Sequence, residues 1–492
     1  LSLIIKLLKF WNKSYQCKII LGKNRFKIQA FVISMSNLKI NMNNAEDVLE
    51  SLNSKTLRVC VIGIGRIGLP TALSFAKSGL QTIGVDINEK LVENINSGKF
   101  PLKDEPGYDE IFDSVLKTKK FSATTKIEDA VPNSDLILLS LPTPMDKNNI
   151  PDYSALRTVS SKLSDILSPN SLVIVESTVE PGFIEDEMVS LISKSGRLEI
   201  EKSFFIGVCP ENANPGEILH DFTNLPRLVG GINLNITKII KSIYNFVFSV
   251  ELVEMPDCKT ANVVKLTTNV FRDINIAFIS ELSLMFEKLG IDTNKVLEAA
   301  KKKYNFQVHY PGAGVGGPCL PINSYQLLNT ARRTGVKLGI IESGRKINEK
   351  MPDHVIDLIS DAFRESNIRL DGSDILIFGV SYKPNVKDIQ LTPAEHIIEK
   401  LKNLGANVHI YDPYFTSTKI FGIDTLTTIP DENILKTMNA AVIVTGHDSF
   451  KSFKISNFSL MKNPILVDTR GIFEPRDAKN ANLIFRGLGR GD

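Results

Sequence analysis

A short apolar run followed by three closely spaced glycines restricts the possible folds of this chain more than any other feature. The run LRVCVIGIG, from Leu57, predicts a buried parallel strand, and LPTALSFAKSGL after it has the periodicity of a helix. Gly63, Gly65 and Gly68 lie between the two with the spacing G-x-G-x-x-G. In such a turn the first glycine permits the tight bend, the second lets the backbone approach a pyrophosphate, and the third lets the helix pack on the strand. Ile67, within the same loop, is predicted to contact the same ligand.

A carboxylate at the end of the next predicted strand completes a dinucleotide-binding pattern. Asp86 follows the strand about 20 residues after the glycines, where its two oxygens can accept both hydroxyls of a ribose. The same negative charge repels a 2′-phosphate, so the pattern favours NAD over NADP. The N-terminus of the helix after the glycines presents free N–H groups and the positive end of its dipole to the phosphates. A glycine turn without a ligand is the structural alternative.

Predicted strands and helices alternate in two blocks, which flank a helical segment. The first block continues with QTIGVDI, SDLILLSLPTP, NSLVIVEST and FFIGVCPEN, and the second contains SDILIFGVS, ANVHIYDPY, AAVIVTGHD and PILVDTRG. Between the blocks, residues 259–300 contain almost no glycine or proline, and within them residues 260–290 predict a long helix; a second helical zone runs from Ser324 to about Glu365. The predicted class is α/β, with two Rossmann-like, doubly wound parallel-sheet domains joined by a helical middle domain.

The boundaries of this pattern divide the chain into four parts. We predict a basic extension over residues 1–55, a first α/β domain over 56–255, a helical domain over 256–365 and a second α/β domain over 366–492. Residues 1–45 contain eight Lys or Arg and no Asp or Glu, and we expect them to be poorly ordered. The initial LSLIIKLLKFW is compatible with a short amphipathic helix, so a membrane-surface anchor is the alternative. The segment is too short to span a bilayer, and we predict no stable membrane insertion and no signal peptide.

Composition and charge argue against several classes of protein. A net charge of +3 over 492 residues, without a basic stripe interleaved with aromatic residues, does not indicate a nucleic-acid partner. The cysteines have no zinc-site or disulfide spacing and the six histidines form no i, i+4 pair, so we predict no metal. Free cysteines are typical of a reducing cytoplasm. The five cysteines are at positions 17, 60, 209, 258 and 319.

Polar residues on the predicted long helix and at two strand ends are candidates for catalysis. Lys265 and Asn269 have the spacing i, i+4 and therefore share one face of the helix, although a solvated polar pair is the alternative. A buried lysine can lose its proton and act as a base, or remain charged and hold an oxyanion. Glu211 in CPEN and Thr178 in ESTVEPG follow strands, where ligands bind in such sheets, but each is also compatible with a helix cap.

A single cysteine in an unusual context is a further candidate. Cys319 lies in GVGGPCLPIN, whereas a structural cysteine such as Cys60 lies among large apolar residues of a strand. A glycine loop can bend tightly and present backbone N–H groups. A thiolate there can attack a carbonyl, and a nearby cationic lysine favours the thiolate.

From about residue 57 to 475 the motifs together resemble one family, the UDP-glucose/GDP-mannose dehydrogenases. The matching stretches are VIGIGRIGLPTALSFAKSG, GVDIN, PTP at 142–144, ESTVEPG, CPENANPGE, KLTTNVFRDINIAFISEL, PGAGVGGPCLP, FGVSYKPNVKD, YDP and DTRG. Two of them, KLTTNVFRDINIAF and PGAGVGGPC, are most similar to the UDP-N-acetylmannosamine and UDP-N-acetylglucosamine 6-dehydrogenase branch. The resemblance implies a four-electron, NAD-dependent oxidation of C6 of a UDP-N-acetylhexosamine, with UDP-N-acetyl-D-mannosamine as the leading candidate. It also implies that the product is a precursor of surface polysaccharide or glycans.

The resemblance also implies a role for each candidate. Cys319 matches the nucleophile that adds to the C6 aldehyde and becomes a thioester, which water hydrolyses. Lys265 and Asn269 match the residues that stabilise the oxyanion, Glu211 the acid/base residue, and Thr178 a water-positioning hydroxyl. A thioester explains the need for sulfur, because a good leaving group lets water complete the reaction.

The implied ligand contacts come from all three domains. Thr143 and Thr178 are predicted to contact the cofactor. The long helix matches the family's dimer core, so a homodimer is predicted. The residues predicted to contact the UDP-sugar are Glu211, Lys265, Asn269, Gly312, Gly314, Gly316, Gly317, Lys383 and Arg470.

Several positions depart from the family pattern. Asn323 replaces an Asp four residues after the cysteine, Gln390 replaces an Arg, and Asn212 replaces an Arg. The expected sugar-contacting Arg is not evident, and Lys303 or His309 is the candidate substitute. The alternatives to the leading hypothesis are therefore a catalytically weakened nucleotide-sugar-binding homologue, a UDP-glucose 6-dehydrogenase, and a two-electron hydroxyacid dehydrogenase.

Overall fold

The computed structural model describes residues 17–22, 25–30 and 40–491. The strands are β1 Cys17–Gly22, β2 Arg25–Ala30, β3 Arg58–Ile62, β4 Gln81–Val85, β5 Phe121–Thr124, β6 Leu136–Leu139, β7 Ser171–Val175, β8 Phe204–Val208, β9 Arg227–Gly231, β10 Leu252–Glu254, β11 Asp374–Phe378, β12 Asn407–Tyr411, β13 Lys419–Ile420, β14 Ile423–Asp424, β15 Ala440–Ile443, β16 Ile465–Asp468 and β17 Ile484–Gly487. The α-helices are α1 Ala45–Asn53, α2 Gly68–Lys77, α3 Glu89–Asn96, α4 Tyr108–Lys117, α5 Ile127–Ala130, α6 Ser154–Ile166, α7 Val189–Ser193, α8 Ile218–Asn224, α9 Leu234–Val247, α10 Cys258–Lys288, α11 Thr293–Ala300, α12 Leu320–Thr334, α13 Gly339–Glu365, α14 Pro393–Asn403, α15 Glu432–Leu435 and α16 Pro475–Asn480.

The first domain is built on an eight-stranded sheet with the order β10-β9-β8-β7-β6-β3-β4-β5. Every neighbouring pair is parallel except β8 and β9, which are antiparallel. The strand order reverses between β3 and β6, and this reversal opens a crevice at the carboxyl ends of the strands. Strands β6, β7 and β8 are buried at every position because helices cover both faces of the sheet.

The third domain has a smaller sheet of five strands, all parallel, with the order β12-β11-β15-β16-β17. The four strands predicted in this part are β11, β12, β15 and β16, and β17 is an additional edge strand that the sequence pattern did not reveal. Two apolar clusters, one on each face, form the core. The switch point lies between β11 and β15, so this domain also has a crevice at its carboxyl edge. The predicted α/β class with two parallel-sheet domains is confirmed.

A helical segment joins the two sheets, and it begins with the 31-residue helix α10. Asp257 caps this helix, because its side chain accepts a hydrogen bond from Thr260 N at 2.7 Å. The second helical zone is two helices rather than one. Gly335, with φ of 73°, ends α12 in the left-handed conformation, and α13 follows.

A buried carboxylate connects these helices. Asp273 of α10 accepts hydrogen bonds from Arg345 Nη1 at 2.9 Å and from Asn348 Nδ2 at 2.8 Å, both on α13. Its second oxygen accepts from Ser324 Oγ of α12 at 2.7 Å. Asp273 is 1% exposed and Arg345 is 3% exposed, so three donors satisfy a charge that water does not reach.

Residues before the predicted start of the first domain are part of its core. Met42, Val48 and Leu52 are buried and belong to the same apolar cluster as β3. The expected extension to residue 55 is therefore too long, because α1 packs against α9 instead of lying outside the fold. The signal was the capping residue Asn44, whose side chain accepts from Glu46 N at 2.9 Å.

Most of the basic extension lies outside the described residues, including the predicted amphipathic helix at LSLIIKLLKFW. The described part contains an antiparallel strand pair, β1 with β2. Among the described residues, no helix has the length and apolar composition that a membrane span requires.

The packing of α1 gives a direct test of where the first domain begins. Leu52→Ala removes a side chain that is 1% exposed and leaves a cavity under α9. We expect the free energy of unfolding to fall by about 2–4 kcal/mol, which lowers the midpoint of the first thermal transition. Leu49→Ala on the same helix is the control, because Leu49 is 46% exposed, and it should leave the midpoint nearly unchanged. Equal midpoints for the two variants would contradict a core role for α1.

Candidate active site

The glycine turn after β3 has the geometry that a pyrophosphate-binding loop requires. Gly63 has a φ of 86°, and a Cβ there would lie 2.5 Å from the carbonyl oxygen of Ser140. At Gly68 a Cβ would lie 1.8 Å from the Gly63 carbonyl oxygen, so helix and strand pack directly. A Cβ at Gly65, in contrast, would meet nothing within 4 Å, which leaves open space above the backbone. Helix α2 follows Ile67 without a side-chain cap, so its first N–H groups face this space.

Asp86 lies beside this loop at the carboxyl end of β4. Its Oδ2 accepts a hydrogen bond from Ile64 N at 3.1 Å, and its Oδ1 accepts from Asn88 N at 3.0 Å. The carboxylate is half-buried and keeps lone pairs for two ribose hydroxyls. The uncapped helix, the open space at Gly65 and this carboxylate together fit NAD.

Cys319 is an exposed thiol at the N-cap of helix α12. The sequence predicted a glycine loop, and the structure adds a 15-residue helix that begins at the next residue. The positive end of a helix dipole favours negative charge on a sulfur at this position. Pro321 was the missed signal, because proline is common in the first turn of a helix.

Lys265 is 7% exposed and lies on the face of α10 that contacts the first domain. Its Nζ donates a hydrogen bond to Asn212 Oδ1 at 2.9 Å. Burial lowers the pKa of Lys265, and the negative charges of Cys319 and Glu211 partly offset this effect. The structure therefore brings the predicted nucleophile, cation and carboxylate into electrostatic contact.

Asn212 explains one departure from the family pattern. An Arg at this position would place a second cation against the amine of Lys265. The Asn side chain instead supplies an acceptor, which holds the amine in place while leaving its other hydrogens for a ligand. The contact between positions 212 and 265 crosses two domains, so sequence spacing did not reveal it.

Glu211 follows β8, and its carboxylate is fully engaged. Oε1 accepts from Asn212 N at 2.7 Å and from Ala213 N at 2.9 Å. Oε2 accepts from Arg227 Nη1 at 2.7 Å, and Arg227 is 3% exposed. These bonds hold the turn that presents Asn212 to Lys265. The acid/base role implied by the resemblance remains a prediction.

Asn269, Thr178 and Thr143 lie on the cleft between the first and middle domains. Asn269 Nδ2 donates to Asn323 Oδ1 at 2.5 Å. Thr143 Oγ1 donates to the carbonyl oxygen of Thr178 at 3.2 Å, which joins the loops after β6 and β7. Thr143 and Thr178 are both half-buried at the carboxyl edge of the sheet, the edge that also holds the dinucleotide loop.

The glycines of residues 312–317 allow the third domain to approach the catalytic loop. A Cβ at Gly312 would lie 2.2 Å from Arg470 Nη1, and one at Gly316 would lie 2.2 Å from the Leu391 carbonyl oxygen. At Gly317, whose φ is 87°, a Cβ would lie 2.6 Å from the ring of Tyr382.

Gly314 has a φ of 132° and lies between α13 and α14. Three of the four glycines that are predicted to cradle a ligand, Gly312, Gly316 and Gly317, lie so close to the third domain that a Cβ would clash with it. The glycines of this loop therefore also serve its packing against the third domain.

Lys383 and Arg470 line one pocket together with Gly314 and Thr445. Burial lowers the pKa of Lys383; nearby Glu217 raises it and the guanidinium of Arg272 lowers it further. Several cations therefore surround this cleft, as the binding of a diphosphate requires. Arg272 was not a candidate in the sequence, although it lies one turn beyond Asn269 on the same helix.

The structure also places Gln390 and the two candidate substitutes for the sugar-contacting Arg, His309 and Lys303. The carbonyl oxygen of Gln390 accepts from Gly317 N at 2.9 Å, so the backbone of this residue supports the glycine loop whatever its side chain. His309 is 9% exposed, and burial lowers its pKa. Lys303 is exposed. Within the described part of the chain, no three His, Cys, Asp or Glu side chains are grouped closely enough to hold a metal ion.

Three family models match the chain in sequence order. They are the NAD binding domain, the central domain and the UDP binding domain of the UDP-glucose/GDP-mannose dehydrogenase family, at residues 57–247, 259–350 and 376–475. Among curated proteins, the chain is 32% identical over 437 residues to UDP-N-acetyl-D-mannosamine dehydrogenase of Pyrococcus horikoshii, covering 89% of this chain and 100% of that one. It is 31% identical over 435 residues to Protein CapL of Staphylococcus aureus, covering 87% of this chain and 99% of that one.

Solved structures agree with these matches. The structure of the Pyrococcus horikoshii UDP-D-ManNAc dehydrogenase has a TM-score of 0.82 at 32% identity, covering 89% of this chain and 100% of that chain. An NDP-N-acetyl-D-galactosaminuronic acid dehydrogenase from Methanosarcina mazei has a TM-score of 0.78 at 28% identity, covering 90% and 98%. The chain therefore belongs to the UDP-glucose/GDP-mannose dehydrogenase family and is an NAD-dependent UDP-sugar dehydrogenase.

Proposed function

We propose that this enzyme oxidises the C6 hydroxymethyl group of a UDP-N-acetylhexosamine, with UDP-N-acetyl-D-mannosamine as its preferred substrate, to the uronic acid. The observation that supports a thiol mechanism most directly is the exposed Cys319 at a helix N-terminus, in electrostatic contact with buried Lys265. The choice of sugar is supported by relatives of this chain that are named UDP-N-acetyl-D-mannosamine dehydrogenase. The product is a precursor for surface polysaccharide or glycans, and we propose a cytoplasmic location.

The first oxidation converts the C6 alcohol to an aldehyde. The Gly63–Gly68 loop and Asp86 would hold NAD, which would supply one hydride acceptor per oxidation, so the NADH of the first oxidation must be exchanged for a second NAD. Lys265 is the group that accepts the hydroxyl proton as a hydride leaves C6, and burial lowers its pKa in the direction that favours this role. Lys265 then carries a positive charge beside the aldehyde oxygen.

The second oxidation takes place on the enzyme's sulfur. The Cys319 thiolate forms a bond to the aldehyde carbon, and the carbonyl electron pair moves to oxygen, where Lys265 and Asn269 stabilise it. Loss of a second hydride from C6 leaves a thioester. Water then adds to the carbonyl carbon, the C–S bond breaks with its electron pair on sulfur as a thiolate, and the carboxylate is released as both protons of the water pass to solution. Lys265 loses the proton that it accepted to solution before the next turnover.

Product stoichiometry tests the reaction. With a panel of UDP-sugars, we expect two NADH per sugar and the highest kcat/KM for UDP-N-acetylmannosamine. Cys319→Ser should lower the rate of carboxylate formation by at least about 1,000-fold, because an alkoxide is a poorer nucleophile and leaving group. Cys258→Ser is the control, since this buried cysteine lies at the start of α10 against Gly230. Carboxylate formed at the normal rate by Cys319→Ser would exclude the thioester, and one NADH per sugar would indicate a two-electron enzyme.

The buried amine predicts opposite effects on activity and stability. Lys265→Met removes the group that holds the oxyanion, and we expect kcat/KM to fall by about 1,000-fold or more. The same change removes the desolvation cost of the buried amine, so the thermal midpoint should be no lower than that of the wild type. Lys288→Met, at the exposed end of α10, should change neither quantity. A variant at 265 that loses stability in proportion to activity would indicate a structural lysine.

An exposed apolar row on α10 supports the proposed homodimer. Phe271, Phe278 and Met285 are each about half exposed and lie two turns apart on one side of the helix. We expect the protein to sediment as a dimer and Phe278→Glu to shift it toward monomer. Leu234→Glu, which places the same charge at an exposed leucine of the first domain, should leave the dimer intact. A wild-type monomer at micromolar concentration would refute the dimer.

A further inference from the structure

Three side-chain amides form a chain of hydrogen bonds directly behind the catalytic residues. Asn269 Nδ2 donates to Asn323 Oδ1 at 2.5 Å, and Asn323 Nδ2 donates to Gln326 Oε1 at 3.0 Å. Asn323 is 3% exposed and Gln326 is 0% exposed, so water does not compete for these bonds. Asn323 and Gln326 lie in the first two turns of α12, the helix that begins after Cys319.

The far end of this chain is anchored in the first domain. Gln326 Nε2 donates to the Thr178 carbonyl oxygen at 3.0 Å and to Tyr153 OH at 3.0 Å. Tyr153 OH also accepts a hydrogen bond from Glu180 N at 3.1 Å. A backbone carbonyl can only accept, so the nitrogen of Gln326 must face Thr178. Its oxygen must then face residue 323.

This fixed orientation determines which side chain is tolerated at position 323. An amide presents a donor to Gln326 Oε1 and an acceptor to Asn269 at the same time. A carboxylate would place its oxygen against Gln326 Oε1, and two buried acceptors would face each other without a proton. Rotating Gln326 does not relieve this conflict, since its oxygen would then face the Thr178 carbonyl oxygen.

We propose that Asn323 and Gln326 are positioning residues, which form a neutral amide relay between Asn269 and Thr178, and that Gln326 requires a hydrogen-bond donor at position 323. The relay uses one N–H of Asn269 and leaves the second N–H of the same nitrogen to donate to the substrate's oxyanion. It also holds the Thr178 backbone and the first turns of α12 against each other, which sets the position of the thiol. This role rests on the proposed function.

The relay predicts an unusual pH dependence for one variant. Asn323→Asp should lower kcat by about 100-fold at pH 8, the size of effect expected when an oxyanion donor is misplaced. At pH 6 we expect about a tenfold recovery relative to the wild type. Burial and the facing oxygen raise the pKa of the new carboxyl, and its protonated form can donate to Gln326 Oε1. An Asn323→Asp profile parallel to that of the wild type would overturn the relay.

A double-mutant cycle keeps the test valid where one variant folds poorly. Gln326→Leu removes the opposing acceptor. The double variant with Asn323→Asp should therefore keep more activity and a higher thermal midpoint at pH 8 than the sum of the two single-variant losses predicts. Additive losses in both quantities would contradict the proposal. Asn133→Asp is the matched control, because Asn133 is exposed in the first domain and donates to the carbonyl oxygen of Asp129 four residues earlier, and its kcat should stay within about twofold of the wild type.

Failure of the relay and failure of the proposed function give different results. A wild-type protein that oxidises no UDP-N-acetylhexosamine would refute the proposed function. The relay would still be tested by the thermal midpoints of the same variants. In that case Asn323→Asp must unfold at a lower temperature than the wild type at pH 8, with the difference reduced at pH 6. Equal differences at the two pH values would refute the relay.

Discussion

The buried carboxylate of Asp273 holds the middle domain in the arrangement on which the active site depends. Helix α10 contributes Lys265 and Asn269, whereas the thiol lies at the start of α12, so these groups lie on separate helices. Asp273 accepts from Ser324 of α12 and from Arg345 and Asn348 of α13, so one charge fixes both helices against α10. Transferring a carboxylate from water into the core costs free energy, and this cost is offset only where all three donors are in place. The network therefore favours a single packing of the helices, and this packing brings Cys319 beside Lys265.

The positions that depart from the family pattern are matched by their neighbours in this structure. Asn212 accepts from Lys265, and Asn323 lies between the amides of Asn269 and Gln326. At both positions a charged residue has been replaced by an amide whose donor or acceptor meets a complementary group.

The glycine loop before Cys319 connects chemistry to domain arrangement. Its glycines lie against Arg470, Leu391 and Tyr382, all from the third domain. The pocket lined by Lys383 and Arg470 therefore contacts the loop that leads to the thiol. The same loop leads directly into α12, so the pocket and the start of that helix share one segment of chain.

The sequence by itself determined the α/β class with two parallel-sheet domains and the long helix, and it supplied the candidate site residues. Apolar runs, glycine spacing and helical periodicity are local properties, and they predict local structure well: α10 was predicted within two residues at each end. Motifs near strand ends indicated the side of each sheet where ligands bind, because parallel strands share a carboxyl edge. The start of the first domain was missed, since the burial of α1 depends on contacts with α9, almost 200 residues later in the chain.

Only the tertiary structure decided which side chains satisfy one another. Asn212 with Lys265, Asn269 with Asn323, and Gln326 with Thr178 are contacts between elements distant in sequence. The direction of a hydrogen bond depends on which atom faces which, and no spacing rule contains this information. The partners of Glu211, which are Arg227 and two backbone amides, are likewise visible only in the structure, and its acid/base role stays a prediction. Sequence selects the chemical groups, and the packing of three domains sets the donors, acceptors and burial that determine how each group can act.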